Sequence, residues 1–399
     1  MGTKYFTVCN LAFLDRALTL AESVDKYGEE LTIYVFDKKV DLGGLPEYAD
    51  LVWMEELEIP SFKKLAFKYD ITELSTSLKA FIARSILKEG NQKVIFLDPD
   101  VCVYSSLKPI ELELDNAPIL LTPHFTSPEE GGDLAMLRFG SFNLGFFGIK
   151  NTTEGIEFLD WWHERCIDHC FFETQWGLST DQKWVSIAPC FFENLKVSFD
   201  KGWNMAPWNL HERKLTLSEN KYSVNNENLL VFFHFSSFDS TNPMLLSKRI
   251  PLPVERNDEF KKIIAEYAES LDKHNKQVGL HKYAYDYFDN GDYISPALRR
   301  AYSSVIDQFD DIQDPFNSLS RVYKFARYDN LLEKGEIVYK SMGFESVASY
   351  RWQFRIINFL MRTVLKILGP NRFMNLSRLL VFLSSYRLNQ DLWKIPQDK

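Results

Sequence analysis

The stretch Val94-Ile95-Phe96-Leu97-Asp98-Pro99-Asp100 joins a hydrophobic run to two carboxylates. The run predicts a buried strand over residues 93–97, because a short continuous apolar segment is typical of strands covered on both faces. Pro99 restricts its own φ and favours an extended Asp98, and on extended backbone side chains two residues apart point to the same side. Asp98 and Asp100 therefore predict half of a site for a hard divalent cation, which prefers oxygen ligands. The alternative is an ordinary surface turn.

Strand and helix patterns alternate over the first hundred residues. Strands are predicted over residues 5–9, 31–36 and 93–97, and helices over residues 15–27 and 75–87. Strands separated by helical crossovers predict an α/β fold with a mostly parallel, doubly wound central sheet. In such sheets ligands bind beyond the carboxyl ends of the strands, which is where Asp37 and Asp98 are predicted to lie.

The rest of the chain divides by composition. We predict a catalytic domain over residues 1–245, a region of helical decoration and linker over residues 246–345, and a basic tail over residues 346–399. Pro243, Pro251 and Pro253 bracket the predicted linker, and a charged, mainly solvated helix follows over residues 255–273. The last part is the C-terminal helical extension of the predicted fold.

The tail differs in charge from the rest of the protein. Residues 345–399 carry a net charge of +6, whereas the whole chain carries −9. Within residues 351–368, Arg355, Arg362 and Lys366 fall on one side of a predicted helix and most apolar side chains on the other. Gly369-Pro370 ends this helix, and a second apolar one follows. The pattern predicts an anionic membrane surface as the partner of residues 351–385. The alternative is a helix packed on its own domain.

Composition excludes several classes of protein. A net charge of −9 argues against a general nucleic-acid binder, which needs a basic field. Five cysteines without framework spacing suit a reducing compartment, and neither a secretory signal nor an uninterrupted run of 18 apolar residues is found. We therefore expect a cytoplasmic protein, peripheral on the inner face of the cytoplasmic membrane.

Four motifs in order resemble those of GT-A-fold glycosyltransferases, especially the retaining type that includes glycogenin and bacterial lipooligosaccharide galactosyltransferases. They are Phe96-Leu97-Asp98-Pro99-Asp100, Ser141-Phe142-Asn143-Leu144-Gly145-Phe146-Phe147, Thr180-Asp181-Gln182 and Val231-Phe232-Phe233-His234-Phe235-Ser236. The resemblance covers roughly residues 4–240. It implies a GT-A, Rossmann-like catalytic domain that binds Mn²⁺ or Mg²⁺ and a nucleotide-sugar donor, with UDP as the nucleotide.

The resemblance also implies roles for individual residues. Asp98, Asp100 and His234 hold the metal; Asp181 and Gln182 are the catalytic pair; and Asn143, Gly145, Asp181 and Gln182 surround the sugar. Without the resemblance, the sequence suggests that His234 is a histidine packed in the core and that Asp181 caps a helix. Asn143 and Gly145 would then belong to a bulge in a strand.

The sequence also predicts residues that contact the nucleotide and residues that contact the acceptor or a phosphate. Nucleotide-binding residues are predicted to be Thr7, Cys9, Asn10, Asp37, Lys79 and Asp98. Trp208, His211 and Arg213 are predicted to contact the acceptor or a phosphate, although Trp208 could equally pack in a core. The family's His-x-x-Gly-x-x-Lys-Pro-Trp is not intact, since Ser237 stands where glycine is expected, and Lys248 is the predicted replacement for the missing positive charge.

The predicted function is metal-dependent transfer of a sugar from a nucleotide-diphosphate donor to a glycan acceptor. Synthesis of a bacterial surface polysaccharide on a lipid-linked acceptor, with retention at the anomeric carbon, is the form that the resemblance implies. Two alternatives stay open: a nucleotidyltransferase that makes sugar nucleotides, and a non-catalytic membrane adaptor on the same fold. The first normally carries a Gly-rich, basic loop after the first strand, where this chain has Asn10-Leu11-Ala12-Phe13-Leu14.

Overall fold

The computed structural model of the protein describes residues 2–57, 59–243, 246–248, 258–279, 281–333 and 351–395. The chain separates into two units, Met1–Pro60 with Ile71–Ala284 and Ser61–Asp70 with Tyr285–Lys399. Pro251 and Pro253 of the predicted linker lie outside the described residues. The three-part division predicted from the sequence stays a prediction.

The first unit contains fourteen strands among its described residues, and seven of them form its central sheet. They are β1 Thr3–Cys9, β2 Leu31–Val35, β3 Asp50–Trp53, β4 Lys93–Leu97, β5 Val101–Val103, β6 Ile119–Pro123, β7 Phe142–Lys150, β8 Phe172–Glu173, β9 Leu178–Ser179, β10 Leu195–Val197, β11 Leu215–Ser218, β12 Lys221–Val224, β13 Asn228–Leu229 and β14 Phe232–His234.

The central sheet has the strand order β10-β6-β7-β4-β1-β2-β3. Strand β7 is antiparallel to β4 and β6, and the remaining neighbours are parallel. The carboxyl ends of β2, β1 and β4 therefore meet at one edge, together with the start of β7. This arrangement confirms the predicted fold class, α/β with a mostly parallel sheet, and it places the end of β4 where open α/β sheets bind ligands.

Twelve α-helices are described. In chain order they are α1 Leu14–Asp25, α2 Phe62–Lys68, α3 Ile71–Lys88, α4 Lys108–Asn116, α5 Gly132–Phe139, α6 Thr153–His169, α7 Thr180–Val185, α8 Asp258–Val278, α9 Pro296–Ser304, α10 Arg321–Tyr328, α11 Arg351–Leu368 and α12 Pro370–Leu383. Seven of them, α1 and α3 to α8, belong to the sheet-bearing unit, and five, α2 and α9 to α12, belong to the second unit.

Aromatic side chains fill the core beside the central strands. Phe96 of β4 stacks on Phe147 of β7 with ring centroids 5.1 Å apart, and Phe6 of β1 lies 5.0 Å from Phe96. Trp162 of α6 meets Phe147 edge-on at 5.0 Å. All four side chains are fully buried. Such pairs add about 0.5–1.5 kcal/mol each beyond their buried area, so they hold β4 firmly beneath the carboxylates that follow it.

Two helices differ from their predicted form. Helix α3 begins at Ile71, four residues before the predicted start. Helix α8 was expected to be mainly solvated, but it packs on α1 and buries one face, including Ile263, Tyr267 and His274. The His274 ring bonds to Thr19 Oγ1 at 3.1 Å and to Tyr48 Oη at 2.8 Å. The charged face seen in the sequence is therefore only the outer half of an amphipathic helix.

The second unit is organised around a buried arginine. Arg299 of α9 is 1% exposed, and its guanidinium donates to the carbonyl oxygens of Ala66, Phe67, Tyr69 and Tyr285 at 2.7–3.1 Å. It also pairs with Asp286 at 2.8 Å. Since the carbonyls lie at the end of α2 and before α9, one side chain joins two segments that are far apart in the chain.

The C-terminal helices α11 and α12 lie within the predicted tail. Helix α11 has the predicted bounds, and Gly369 with φ +75° separates it from α12. Large apolar side chains on both helices are exposed, among them Trp352 at 66%, Phe359 at 70% and Ile367 at 76%. Among the described residues, no helix combines the length and apolar character needed to cross a bilayer.

Candidate functional site

Three residues with metal-binding side chains meet at the carboxyl end of β4. Strand β14 pairs with β5 so that His234 lies opposite Val101, one residue after Asp100. The Nε2 atom of His234 is 3.0 Å from Asp100 Oδ1 and 3.9 Å from Asp98 Oδ2. One ligand atom from each of the three lies within 4.8 Å of the others, and no other such group is found in the described part of the chain.

The charges of this triad reinforce one another. Burial alone lowers the pKa of the His234 imidazole, but the carboxylates of Asp100 and Asp98 outweigh it and raise the pKa above its ordinary value. Burial likewise raises the pKa of Asp100, and the His234 imidazolium outweighs it, so the pKa falls below the ordinary value. Two carboxylates and one imidazole form a donor set suited to Mn²⁺ or Mg²⁺, with the oxygen ligands in the majority.

Lys79 of α3 lies buried beside the first carboxylate. Its Nζ donates to Asp98 Oδ1 at 3.1 Å and to the Leu144 carbonyl at 2.9 Å, and it lies 3.7 Å from Asp181 Oδ2. The ammonium also sits 4.4 Å from the centre of the Phe96 ring. Lys79 thus places a positive charge between two acidic residues that are far apart in the chain. Its predicted contact with a donor phosphate stays a prediction.

The predicted catalytic pair lies at the first turn of α7. Asp181 is fully buried, and its Oδ2 accepts no hydrogen bond from the described residues. Burial raises the pKa of this carboxyl to about 6, Lys79 opposes the rise and the charge of Asp98 adds to it. Thr180, just before it, has φ +47°, an unusual conformation for a β-branched residue. A buried carboxylate oxygen that accepts no hydrogen bond marks Asp181 as a candidate ligand-binding group.

Asn143 and Gln182 are joined by hydrogen bonds. Gln182 Oε1 accepts from Asn143 Nδ2 at 3.3 Å and from the Leu144 N–H at 3.2 Å. Asn143 Oδ1 accepts the Gly145 N–H at 3.1 Å. Because both bonds to Gln182 use its oxygen, its NH₂ group is available to an incoming hydroxyl. The residues predicted to surround a sugar therefore do lie together next to the metal triad.

The structure explains the glycine at position 145 in a way that its motif did not suggest. A Cβ at this position would lie 2.4 Å from His234 Cε1 and 2.7 Å from His234 Nδ1. We predicted that this glycine would let the backbone approach a sugar ring. In the structure it is the imidazole that occupies the space where a side chain would be.

Four of the six predicted nucleotide-binding residues lie in β1 or just after β1 and β2. Thr7 and Asn10 are buried, and Thr7 Oγ1 and Asn10 Nδ2 have no hydrogen-bond partner among the described residues. Cys9 is buried too, and burial raises the pKa of its thiol. Asp37 already accepts three backbone N–H groups, from Leu11, Lys38 and Ala284, and burial raises the pKa of its carboxyl.

The four predicted acceptor or phosphate contacts are found in different surroundings. Trp208 meets His234 edge-on at 5.0 Å, and its indole N–H has no partner among the described residues, so it lies at the metal triad. His211 lies 3.6 Å from Glu129 and packs on Phe125. Lys248 is exposed and pairs with Asp239 at 3.1 Å.

Arg213, the fourth of these residues, is directed into the protein. It is 3% exposed, and its Nη1 donates to the carbonyls of Lys201 at 3.1 Å and Trp203 at 2.6 Å. Its Nε lies 3.3 Å from Glu212, which in turn accepts the Thr126 N–H at 2.9 Å. The observed contacts of Arg213 thus shape the loops around the site, and its role as a phosphate contact stays a prediction.

Sequence reasoning missed Asn204. This buried residue bonds to His234, Asn143 and Thr122 through its side chain. The one local signal was its place in the segment Gly202-Trp203-Asn204-Met205, which combines an aromatic ring with a hydrogen-bonding side chain. Nothing in that pattern shows which of the neighbouring polar residues would point to the metal triad.

Comparisons with known proteins give distant matches. No protein-family model matches the chain. Two proteins of Bacillus subtilis (strain 168), both described as uncharacterized, align with 60% of it: YfnD at 27% identity over 79% of its own length, and YfnF at 24% over 82%.

The similar solved structures are glycosyltransferases. The galactosyltransferase LgtC in complex with donor and acceptor sugar analogues aligns with 68% of this chain and 96% of its own, at 14% identity and a TM-score of 0.40. The apo form of the glycosyltransferase GlyE of Streptococcus pneumoniae TIGR4 aligns with 70% of this chain and 64% of its own, at 15% identity and a TM-score of 0.42. Mouse xyloside xylosyltransferase 1 aligns with 52% of this chain and 88% of its own, at 13% identity and a TM-score of 0.35. All these TM-scores are below 0.5, so the fold assignment depends on the strand order described above.

Proposed function

We propose that this protein is a metal-dependent glycosyltransferase of the GT-A type, which moves a sugar from a nucleotide-diphosphate donor to a glycan acceptor. The observation that carries the proposal is the convergence of Asp98, Asp100 and His234 at the carboxyl edge of a mostly parallel sheet. Asp181 and Gln182 come from another part of the sequence. Asp181 lies 3.7 Å from Lys79, Gln182 accepts a hydrogen bond from Asn143, and these contacts connect both residues to the same site.

The donor set of the triad fits a divalent cation, Mn²⁺ or Mg²⁺, held by Asp98, Asp100 and His234. Such an ion, when bound, offsets the charge of a diphosphate and stabilises it as a leaving group. The chain itself supplies a buried cation, Lys79, beside that position. Thr7 Oγ1 and Asn10 Nδ2, unpartnered in the described structure, are donors suited to a nucleotide base or ribose at the ends of the strands. We propose a UDP-sugar as the donor.

The residues around Asp181 suit the sugar end of the donor. The Asp181 carboxylate can stabilise positive charge that develops at an anomeric carbon, or attack it as a nucleophile. The NH₂ group of Gln182 can donate to a sugar hydroxyl, since its oxygen is already held by Asn143 and Leu144. We propose transfer with retention, as in the enzymes whose motifs this chain resembles.

A panel of sugar nucleotides tests the proposal. Each is incubated with the protein and Mn²⁺, and release of the nucleoside diphosphate is measured together with the shift in melting temperature. We expect one UDP-sugar to stabilise the protein and to be slowly hydrolysed, only when the metal is present. Pyrophosphate release from a nucleoside triphosphate with a sugar phosphate would instead identify a nucleotidyltransferase. Absence of any stabilisation by nucleotide and metal would favour the non-catalytic adaptor.

For the acceptor we propose a lipid-linked glycan of a bacterial surface polysaccharide. The support is the chemistry of α11 and α12, whose exposed apolar side chains are accompanied by basic ones. Residues 351–390 contain seven Lys or Arg and no Asp or Glu. Basic helices with exposed Trp, Phe and Leu bind the interface of anionic bilayers. The protein would then work peripherally on the inner face of the cytoplasmic membrane, where a lipid-linked substrate is within reach.

Replacing Leu360 with serine is expected to weaken binding to vesicles containing phosphatidylglycerol by about tenfold or more, because Leu360 lies on the apolar side of α11 and burying one Leu side chain contributes about 1.5–3 kcal/mol. The side chain is 56% exposed, so the change should not destabilise the fold. Replacing Arg355 and Arg362 with glutamate should weaken binding further, at about 1 kcal/mol for each lost positive charge. Vesicle flotation measures both effects.

Leu112 supplies a matched control for this experiment. It is 60% exposed, lies on α4 in the sheet-bearing unit and is outside the tail. The Leu112→Ser variant should bind the vesicles as the unchanged protein does. Equal binding of all the variants, or equal binding to vesicles of phosphatidylcholine alone, would contradict an anionic interfacial role for the tail.

A further inference from the structure

Asn204 occupies a buried position between the metal triad and the sugar-site residues. It is 1% exposed and has φ +55°, a left-handed conformation that asparagine tolerates better than most residues. Residues 202–206 run beside β14: Gly202 O accepts the Val231 N–H and Met205 O accepts the His234 N–H, both at 2.8 Å. This pairing brings the Asn204 side chain against the imidazole of His234.

Asn209 holds the backbone around Asn204. Its Nδ2 donates to the Asn204 carbonyl at 3.0 Å and to the His124 carbonyl at 3.1 Å. Its Oδ1 accepts the Ala206 N–H at 2.9 Å. The strained turn at Asn204 is thus fixed from inside the protein, and its side chain has little freedom to point elsewhere.

Backbone groups determine which way each amide in this cluster faces. A backbone N–H can only donate, so the N–H of Gly145 identifies the Asn143 atom at 3.1 Å as its oxygen. The Asn204 atom 2.9 Å from that oxygen must then be its nitrogen, Nδ2, which also donates to Thr122 Oγ1 at 3.0 Å. What remains for His234 is the oxygen, Oδ1, 3.3 Å from the ring Nδ1.

The same reasoning fixes the imidazole. Asn204 Oδ1 can only accept, so Nδ1 of His234 must carry hydrogen. The carboxylate of Asp100 also only accepts, so without a metal Nε2, 3.0 Å from Asp100 Oδ1, carries a hydrogen as well. A metal held by the two carboxylates would take the place of that hydrogen and use the lone pair of Nε2, while Nδ1 keeps its hydrogen. On the other side, Asn143 Nδ2 donates to Gln182 Oε1. One chain of hydrogen bonds therefore runs from Gln182 through Asn143 and Asn204 to His234.

We propose that Asn204 is a positioning residue of the metal centre, which fixes the Nδ1–H tautomer and the orientation of His234 so that Nε2 binds the metal. The proposal deepens the proposed function and rests on it, because it concerns the same metal site. The physical basis is general: a metal-binding histidine is oriented by the acceptor that its other ring nitrogen bonds, and losing that acceptor weakens metal binding about 10–100-fold.

Two substitutions at this position separate the role of the side chain from that of the backbone. Asn204→Gly removes the acceptor but tolerates φ +55° without strain. Asn204→Asp keeps an oxygen that can accept from Nδ1, although it can no longer donate to Asn143. Thr122→Val is the matched control, since it removes one partner of Asn204 Nδ2 but leaves the Asn143 oxygen that sets the direction of the amide.

The readouts are the affinity for Mn²⁺, from the electron paramagnetic resonance signal of the unbound ion, and the tautomer of His234 in the protein saturated with diamagnetic Mg²⁺. The ring nitrogen that carries hydrogen is identified from ¹⁵N spectra of histidine-labelled protein, with His234→Gln to assign the signals. We expect the Nδ1–H form and wild-type affinity in Thr122→Val. Asn204→Gly should lose the preference for Nδ1–H and bind Mn²⁺ about 10–100-fold more weakly. Asn204→Asp should keep the Nδ1–H form.

Unchanged tautomer and affinity in Asn204→Gly would overturn the proposal, as would an Nε2–H ring in Asn204→Asp or in the wild-type protein. If Asn204→Gly does not fold, the aspartate variant and the wild-type protein still decide between these outcomes. Failure of the unchanged protein to bind Mn²⁺ would overturn the proposed function and this proposal with it. Normal Mn²⁺ binding by the unchanged protein, with no change in Asn204→Gly, would overturn this proposal alone, so the two failures can be told apart.

Discussion

The Asp100→Asn variant is expected to lose about a hundredfold or more of the Mn²⁺-dependent release of nucleoside diphosphate. The amide keeps the shape of the side chain but removes the negative charge that faces His234 Nε2 at 3.0 Å. A metal-bridged diphosphate gains several kcal/mol of charge stabilisation as it leaves, and that stabilisation depends on the ligands that hold the ion. Initial rates over a range of Mn²⁺ concentrations measure the loss.

The control for Asp100 is another aspartate in a simple ion pair. Asp272 on α8 is 64% exposed and pairs with Lys276 one helical turn away, a contact that contributes about 0.3–0.5 kcal/mol. Asp272→Asn should therefore leave both the rate and its metal dependence unchanged. Full Mn²⁺-dependent activity in Asp100→Asn would remove the triad from the mechanism, whatever the fold of the protein.

The Gly145→Ala variant is expected to bind Mn²⁺ about tenfold or more weakly, because the new methyl group displaces the imidazole of His234, a proposed metal ligand. Its Cβ would lie 2.4 Å from His234 Cε1. The ring is 4% exposed, and its backbone is held by β5 and by Met205, so it has no open space to enter. Overpacking of this kind also costs about 1–3 kcal/mol of stability, which thermal or urea unfolding measures alongside the Mn²⁺ titration.

Gly148, three residues further along β7, is the matched control. A Cβ there would meet the two terminal carbons of Leu114, at 2.8 and 3.2 Å, and this flexible end of a side chain can move aside. Gly148→Ala should therefore keep the affinity for Mn²⁺. If both alanine variants bind Mn²⁺ equally well, the close contact between Gly145 and His234 does not govern the metal site.

The elements that the sequence predicted well are those with strong local patterns. Strand β4 has the predicted bounds, because four consecutive apolar residues, Val94 to Leu97, end at a turn. Helix α11 also has its predicted bounds, because its apolar period stops at Gly369-Pro370. The bounds of α8 were less accurate, and its buried face was missed. There the charged residues dominate the composition, while burial is decided by packing on α1.

The sequence also predicted the two acidic side chains at the end of β4 from a strong local pattern. The hydrophobic run predicts the strand that Asp98 and Asp100 follow, and parallel strands end at one edge. The predicted extended backbone was wrong, because residues 98–100 form a turn in which the Val101 N–H donates to the Asp98 carbonyl at 3.0 Å. The roles of His234, Asp181 and Asn143 came from the order of motifs in a resembling family, since no local pattern joins residues so far apart. The structure brings His234 to the two aspartates, as the resemblance implied.

By itself, then, the sequence determined the fold class, the strand that carries the two aspartates and the basic, apolar character of the tail, because each depends on the order of neighbouring residues. Only the tertiary structure decided which polar groups meet. In the tertiary structure Asn204 lies between Asn143 and His234, Gly145 leaves space for the imidazole of His234, and Arg213 points into the protein. These contacts depend on how β14 pairs with β5 and with residues 202–206. The register of that pairing is set by packing across the whole unit, and no short stretch of sequence specifies it.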